Sequence, residues 1–290
     1  MGQAVSIRTA LGGCKGYALL DSGGRRKLER WGDVVVERAE TKAWWEPRLG
    51  EEAWGRAQAK YVEGEGWRAR RSCPREWRVD CDGLPMLVRL SEGSRHLGVF
   101  PEQSPHWRTI EAVGKAGGGR LLNLFGYTGA ASLKAAKAGW EVTHVDASKP
   151  ALAWARENQR LAGLEDRPIR WILEDAAKYV RREVRRGSRY EAVLLDPPAF
   201  GRAPDGAVWK MEWHLAELLA LVREVLSERP RLVLLTAYNI EASSLMMHTM
   251  LGEAMRGLGG EIEAGELALP HAGAEDGRLL PLSIYAKWTA

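Results

Sequence analysis

The sequence predicts an α/β protein with a doubly wound, mainly parallel seven-stranded sheet and a smaller β-rich N-terminal region. From about residue 120, apolar runs of strand length alternate with helical segments, as is typical of a parallel sheet covered by helices on both faces. The last two strand-like runs have no helix between them, so we expect a hairpin with one antiparallel strand. The glycine-rich stretch at 116–119 marks this change of pattern, and we predict two domains, residues 1–110 and 111–290.

The N-terminal region is expected to form short strands. Gly, Asp or Ser turn residues bound each apolar run there, as they do in irregular β structure. Residues 46–66 are expected to form a short helix and a loop. The strand-like runs are YALLDSG, DVVVERAE, WRVDCDG and LPMLVRLSEG.

The second region begins with two strand–helix pairs, and single residues predict where one of the helices ends and where the other begins. The strand RLLNLF precedes a helix that ends at Gly139, and the strand EVTHVD precedes a helix that Ser148 caps. Pro150 lies in the first turn of that second helix, where its missing N–H has no cost.

The remaining elements follow the same alternation. IRWILED and YEAVLLD are strands separated by the helix AAKYVRREVRRG, and RLVLLTAY is a strand between helices at about 209–228 and 241–258. The strands EIEAGELALP and LLPLSIYAKW close the chain.

Composition limits the function classes. The chain of 290 residues is 45% apolar and 28% charged, as is ordinary for a globular protein. No apolar run has the roughly 18–20 residues of a membrane span, and the N-terminus lacks a secretory signal pattern. Cys14, Cys73 and Cys81 are too few and too irregularly spaced for a disulfide framework or a zinc site. We expect a reduced, cytoplasmic setting and no metal.

The positive charge is concentrated in the N-terminal region. The net charge is +4, and residues 1–110 carry 19 Lys/Arg against 15 Asp/Glu, so residues 111–290 are neutral. A basic region on a neutral body predicts a polyanionic partner. The alternative is an arginine-rich composition without a functional meaning. Arginines at 181–189, and the basic residues at 25–27, 68, 70 and 71, are equally open to either interpretation.

Polar residues stand where the central strands end. The strands deliver Asp146, Asp175 and Asp196, and the first strand delivers the segment NLFGYTGA. Ligands of doubly wound sheets bind at the carboxyl ends of the strands. Each single acid is equally well explained as a helix cap, but the coincidence at one edge predicts a binding site.

The first three strand ends suit a nucleoside cofactor. Gly126 and Gly129 let the backbone approach a ligand, and the helix behind them offers free N–H groups. Asp146 is positioned for a ribose diol and Asp175 for an exocyclic amine. The loop is not G-x-G-x-x-G, which disfavours a nicotinamide or nucleotide-sugar enzyme.

The segment LLDPPAFG suits a flat substrate that bears an amine. Asp196 follows an apolar strand, and Pro197 and Pro198 fix the backbone behind it. Phe200 supplies an aromatic face for stacking. The alternative is a plain structural turn.

From about residue 95 to 290 the sequence resembles the class I S-adenosylmethionine-dependent methyltransferases, which have a Rossmann-like fold. The motifs NLFGYTGAAS and DPPAFGR are similar to those of bacterial 23S rRNA methyltransferases that modify cytosine C5 or guanine. The resemblance implies S-adenosyl-L-methionine as cofactor and large-subunit rRNA as partner.

The resemblance also implies roles for single residues. Asp146 would hold the ribose, Asp175 the adenine amine, and the segment from Asp196 to Phe200 would face the target base. Phe100 and Gln103, in GVFPEQSPHW, would lie near the cofactor. The residues implied for the methionine part of the cofactor are Asn123, Phe125, Gly126, Tyr127, Thr128 and Gly129.

One position departs from the cytosine-C5 subfamily. Methylation at C5 needs a cysteine thiolate, which in that subfamily follows the Thr at the end of the fifth strand, and Ala237 stands there. An amine or ring nitrogen can attack the sulfonium methyl directly, so we favour N-methylation of a base. Cytosine-C5 methylation, a small-molecule or protein substrate, and a non-catalytic RNA-binding protein remain alternatives.

Overall fold

The structure, a computed structural model, describes residues 7–202, 208–273 and 277–290. These residues form two compact units. The large unit contains residues 7–10, 106–202, 208–267 and 283–290, and the small unit contains residues 11–105, 268–273 and 277–282.

The described residues contain seventeen strands and seven α-helices. In chain order the strands are β1 (Ile7–Leu11), β2 (Tyr17–Gly23), β3 (Arg26–Trp31), β4 (Val34–Ala39), β5 (Ala59–Val62), β6 (Gly66–Ala69), β7 (Glu76–Asp80), β8 (Pro85–Arg89), β9 (Gly119–Leu124), β10 (Trp140–Asp146), β11 (Ile169–Leu173), β12 (Ala192–Leu195), β13 (Phe200–Arg202), β14 (Val208–Lys210), β15 (Leu232–Ala237), β16 (Glu261–Pro270) and β17 (Leu279–Thr289). The helices are α1 (Glu51–Gly55), α2 (Ser104–Lys115), α3 (Ala130–Lys137), α4 (Lys149–Leu161), α5 (Ala176–Arg186), α6 (Met211–Val225) and α7 (Ser244–Ala254).

An eight-stranded sheet in the order β1-β16-β17-β15-β12-β9-β10-β11 forms the large unit. The five strands from β15 to β11 pair in parallel, and β17 pairs antiparallel to β15. The predicted mainly parallel sheet with an antiparallel strand near the chain end is therefore confirmed. It has one strand more than the seven predicted, because Ile7–Leu11 joins the edge beside β16.

Both faces of this sheet are buried under helices. Leu122 and Leu124 of β9 belong to a cluster with residues of α5, α6 and α7, whereas Leu121 packs with residues of α2 and α3. Successive side chains of a strand point to opposite faces, so this division of β9 is what a doubly wound sheet requires.

The small unit is built mainly of strands. A five-stranded sheet has the order β2-β3-β4-β5-β6, and β7 and β8 form a separate antiparallel pair. In the five-stranded sheet β4 and β5 pair in parallel and the other pairs are antiparallel.

These units differ from the predicted division at residue 110 in three segments. Residues 7–10 and 106–110 belong to the large unit, and the described residues between 268 and 282 belong to the small unit. In the small unit Arg278 lies 3.7 Å from the Asp21 carboxylate, and His271 Nε2 lies 2.8 Å from Ser22 Oγ. Contacts between residues about 250 positions apart leave no sign in a local pattern, so the sequence did not indicate them.

Helix α2 is the largest element that the sequence patterns missed. It crosses the predicted division, and Trp107 and Ile110 on it are buried. None of the helices in the described part of the chain is both long and apolar enough to cross a membrane.

Candidate functional site

The register of β9, β10 and β12 aligns the C-terminal ends of these three strands. Leu124, the last residue of β9, is paired with Val145 of β10 and with Leu195 of β12. The chain therefore leaves the three strands side by side, at Phe125, Asp146 and Asp196. The structure brings these predicted site residues together at the carboxyl edge of the sheet, where ligands of such folds bind.

The segment after β9 forms a tight turn in an unusual backbone conformation. Phe125 and Tyr127 both have positive φ, of 59° and 50°. A non-glycine residue in this region costs about 1–3 kcal/mol and persists only where the surroundings impose it. The Gly126 N–H between them donates to the Val145 carbonyl at 3.1 Å. Such strain is typical of binding sites.

The two glycines of the motif are needed for different reasons. A Cβ atom on Gly126 would lie 2.3 Å from Cε1 of His144, so no other residue fits above that ring. Gly129 has φ 88° and begins α3 without a side-chain cap. The first N–H groups of α3 are therefore not engaged by a capping side chain.

Asp146 ties the turn to the next helix. Its Oδ2 accepts the Tyr127 N–H at 2.8 Å and its Oδ1 accepts the Ser148 N–H at 2.8 Å. Burial raises the pKa of Asp146, and the two backbone hydrogen bonds oppose this shift. A carboxylate has about four acceptor positions, so these bonds leave capacity for a ligand hydroxyl.

Asp175 is the N-cap of α5. Its Oδ1 accepts the Lys178 N–H at 2.9 Å, as the helix-cap interpretation requires. The carboxylate is half-buried and its second oxygen leaves room for another donor. The cap and the predicted cofactor contact are thus compatible.

The backbone after Asp196 is held by two hydrogen bonds. The Pro198 carbonyl accepts the Trp209 indole N–H at 2.7 Å, and the Ala199 carbonyl accepts the Met211 N–H at 3.0 Å. Pro197 is buried and Pro198 is exposed. These two bonds fix the backbone that directly follows Asp196.

Trp209 is a site residue that sequence reasoning missed. The sequence predicted a helix from about 209, but the helix begins at Met211 and Val208–Lys210 pairs antiparallel with Phe200–Arg202. Gly201 opposes Trp209 on one face of this pair, and Phe200 opposes Lys210 on the other. The Trp209 ring lies 5.5 Å from the Phe125 ring, whereas Phe200 is 54% exposed.

His144 was also missed. It is fully buried in β10, and its Nδ1 lies 2.9 Å from Ser132 Oγ. Asn123 Nδ2 donates to the same hydroxyl at 2.8 Å. The signal was a histidine between Thr143 and Val145 in the interior of the predicted strand EVTHVD.

Other predicted residues have different surroundings. Thr128 is buried and its carbonyl accepts the Asn158 side-chain N–H at 3.0 Å. Phe100 and Gln103 lie in the small unit, where the Gln103 N–H donates to the Phe100 carbonyl at 3.0 Å. Their contact with a cofactor stays a prediction.

Cysteine is absent from the end of β15. Ala237 is the last residue of that strand and is buried, and the chain's three cysteines all lie in the small unit. Within the described ranges, no cluster of three or more His, Cys, Asp or Glu side chains is arranged to hold a metal ion.

Many of the basic side chains considered as RNA contacts are ion-paired. In α5, Arg181, Arg182 and Arg186 pair with Glu217, Glu174 and Glu183. In the small unit, the basic residues with an acidic partner are Arg26, Lys27, Arg68 and Arg70. Arg25 instead lies 5.7 Å from the ring of Trp44, which is 77% exposed.

Comparison with known proteins identifies one solved structure similar over nearly the whole chain and curated relatives similar over part of it. No protein-family model matches the chain. A crystal structure of the SAM-dependent methyltransferase from Agrobacterium tumefaciens is similar over 99% of this chain and 94% of that one, with 44% identity and a TM-score of 0.93.

Two curated relatives are named for ribosomal RNA. The ribosomal RNA large subunit methyltransferase I of Aeromonas salmonicida is 32% identical over 126 residues, 43% of this chain and 31% of the relative. The ribosomal RNA large subunit methyltransferase K/L of Pseudomonas paraeruginosa is 33% identical over 174 residues, 59% of this chain and 20% of the relative. The chain thus spans a third or less of these relatives.

Proposed function

Because the chain belongs to the S-adenosylmethionine-dependent methyltransferases, with 44% identity over nearly its whole length to one of them, we propose that it methylates a base of large-subunit ribosomal RNA. The assignment of this substrate rests on the similarity to two relatives named for methylation of that RNA. Such a substrate implies a reaction in the cytoplasm.

The cofactor, S-adenosyl-L-methionine, supplies a methyl group on a sulfonium centre. We assign its methionine part to residues 123–129, its ribose to Asp146 and its adenine amine to Asp175. Three features support this assignment: the strained backbone of the 125–127 turn, the uncapped start of α3, and the spare acceptor capacity of Asp146.

We assign the target base to Asp196, Pro197, Pro198 and Phe200. The Asp196 carboxylate and the neighbouring carbonyl of Pro197 can accept the N–H of an amine and orient its lone pair. Rigid placement of donor and acceptor is the main contribution that a direct transfer needs. The two prolines supply that rigidity.

N-methylation follows from the composition of this edge. Cytosine C5 needs a thiolate that adds to C6 before transfer, and Ala237 occupies the strand end where the C5 subfamily has its cysteine. A nitrogen acceptor needs no covalent intermediate. We therefore propose an exocyclic amine or a ring nitrogen as the methyl acceptor.

Exposed aromatic side chains near a cation support an RNA substrate. Trp213 is 64% exposed, and the Lys210 ammonium lies 3.8 Å from the centre of its ring. Phe200 lies opposite Lys210 in the strand pair. In the small unit, Arg25 and exposed Trp44 form a second such pair. Aromatic faces stack on unpaired bases, and nearby cations attract phosphates.

The test is transfer of labelled methyl from S-adenosylmethionine to ribosomal RNA that lacks its natural modifications. We expect label in large-subunit RNA, at least a hundredfold slower transfer with Asp196→Ala, and an N-methyl nucleoside by mass spectrometry. Trp44→Ala, far from Asp196 in sequence, serves as a variant that should change RNA affinity without changing the modified atom.

Three results would contradict parts of the proposal. A C5-methylcytosine product would overturn the argument from Ala237. Label in a protein or small-molecule fraction, with none in RNA, would reassign the substrate. Cofactor binding without transfer to any acceptor would favour a non-catalytic RNA-binding protein.

A further inference from the structure

A buried histidine lies directly beneath the strained turn at 125–127. His144 is 0% exposed, and its ring is the surface on which Gly126 rests, since a Cβ there would lie 2.3 Å from Cε1 and 2.5 Å from Nδ1. The ring also lies 4.6 Å from the Trp171 ring, in tilted contact. It is enclosed on several sides and cannot move without disturbing the turn.

A chain of hydrogen bonds fixes this ring. Asn123 Nδ2 donates to Ser132 Oγ at 2.8 Å, and that oxygen lies 2.9 Å from His144 Nδ1. All three side chains are buried. Asn123 lies in β9 and Ser132 lies in α3, so the network joins β9, β10 and α3 beneath the turn.

Three consecutive residues of β10 hold the turn from below. The His144 ring carries Gly126, the Val145 carbonyl accepts the Gly126 N–H at 3.1 Å, and Asp146 accepts the Tyr127 N–H at 2.8 Å. Positive φ at both residues that flank Gly126 needs such support, because each is unfavourable by itself.

The imidazole is neutral at ordinary pH. The pKa of His144 is lowered to about 3 by burial, which outweighs the opposing effect of a backbone hydrogen bond with Tyr127. A neutral ring supports the turn through shape and hydrogen bonds, and it adds no positive charge beneath a loop assigned to a cationic cofactor.

We propose that His144 is a positioning residue for the cofactor: through Ser132 and Asn123, its ring holds Gly126 in the turn that binds the methionine part of S-adenosylmethionine. This inference rests on the proposed assignment of residues 123–129. It adds a residue outside the motif and a mechanism by which β10 controls affinity.

The test measures the dissociation constant of S-adenosylmethionine by titration calorimetry, without RNA. We expect His144→Ala to weaken binding at least tenfold and Ser132→Ala severalfold. The conservative variant His144→Gln should bind within about threefold of the wild type. Thr143→Ala, at a buried neighbouring position in the same strand, is the matched control and should leave affinity unchanged.

A double-mutant cycle tests the contact itself. Gly126→Ala should weaken binding strongly in the wild type, because the added Cβ meets the ring, and much less in the His144→Ala background. Equal effects in both backgrounds would overturn the proposal. Wild-type affinity in a folded His144→Ala protein would also overturn the proposal. If His144→Ala does not fold, the proposal is overturned by wild-type affinity of Ser132→Ala together with weak binding by His144→Gln.

Asp146→Ala separates this inference from the proposed function. If Asp146→Ala binds the cofactor normally, the assignment of the cofactor to this edge is wrong. If Asp146→Ala loses binding while the His144 and Ser132 variants keep it, only the role of His144 is wrong. Failure to methylate RNA bears on neither measurement.

Discussion

Asp146 and Asp175 lie at the carboxyl ends of neighbouring strands, yet their carboxylates make different hydrogen bonds. Asp146 binds the backbone of the 125–127 turn, whereas Asp175 caps α5. A helix cap and a ligand contact demand the same residue type, so the sequence left both interpretations open for each acid. At the scale of single residues, the two roles can be separated by substitution.

We predict that Asp175→Ser keeps the cap and loses the cofactor contact. Serine is as good an N-cap as aspartate, while Asp175→Ala should lower the free energy of unfolding by about 1 kcal/mol. Both variants should bind S-adenosylmethionine more weakly to the same degree. Urea unfolding and calorimetry on the pair check this, and full affinity with Asp175→Ser would make Asp175 a cap alone.

A buried histidine outside the site predicts acid sensitivity. The pKa of His106 is lowered to about 3, mainly by burial and also by nearby Lys287, while Glu263 opposes the shift. Below pH 6.5 the unfolded chain binds the proton and the folded chain does not, so the free energy of unfolding falls as pH decreases.

The loss from His106 should be about 1 kcal/mol at pH 5.5 relative to pH 7.5. Between pH 7.5 and pH 5.5, His106→Gln should reduce the change in the free energy of unfolding by that amount. Between pH 7.5 and pH 9, the variant and the wild type should show the same change. Thermal or urea unfolding at the three pH values measures it. An unchanged slope in the variant would mean that His106 is not buried as a neutral ring.

The strand pair β13–β14 shows what an element contributes to the site. Its residues alternate, so Trp209 faces Pro198 and Phe125, while Lys210 lies on the opposite face with Trp213. A run of three residues is too short for a periodic signal. The sequence pattern therefore assigned the end of β14 to the following helix, predicted from about residue 209.

We predict that Trp209→Phe slows methyl transfer without weakening cofactor binding. The substitution keeps an aromatic ring beside Phe125 and removes the hydrogen bond to the Pro198 carbonyl, a bond worth about 0.5–1.5 kcal/mol. We expect a tenfold lower kcat and an unchanged dissociation constant for S-adenosylmethionine. Trp213→Phe is the control at an exposed position, and an equal loss in both variants would contradict the prediction.

At the scale of the whole molecule, a segment from near the chain end completes the small unit. Arg278 donates to the carbonyls of Ser22 and Glu46, and Lys42 donates to the carbonyl of Leu282. These contacts are absent from a fragment cut at the predicted division.

We predict that residues 1–110 expressed alone are unfolded or markedly less stable than in the full chain. Adding a peptide of residues 268–282 should restore part of the structure, whereas a peptide with Arg278→Ala should restore less. Circular dichroism and amide dispersion in NMR spectra report the outcome. A cooperatively folded fragment without the peptide would show that residues 268–282 are dispensable.

The sequence by itself determined the layered α/β fold, its parallel strands and the edge where polar residues collect. These features depend on local periodicity and on residue type at strand ends, which a single chain displays directly. For this reason the sequence alone could place Asp146, Asp196 and the glycines of the NLFGYTG motif at that edge of the sheet.

Only the tertiary structure decided which groups meet. Strand register aligned Leu124 with Val145 and Leu195, packing put His144 under Gly126, and pairing across about 250 residues joined 268–282 to the small unit. Such contacts depend on three-dimensional proximity between segments remote in sequence, and neither propensity nor spacing encodes that proximity locally.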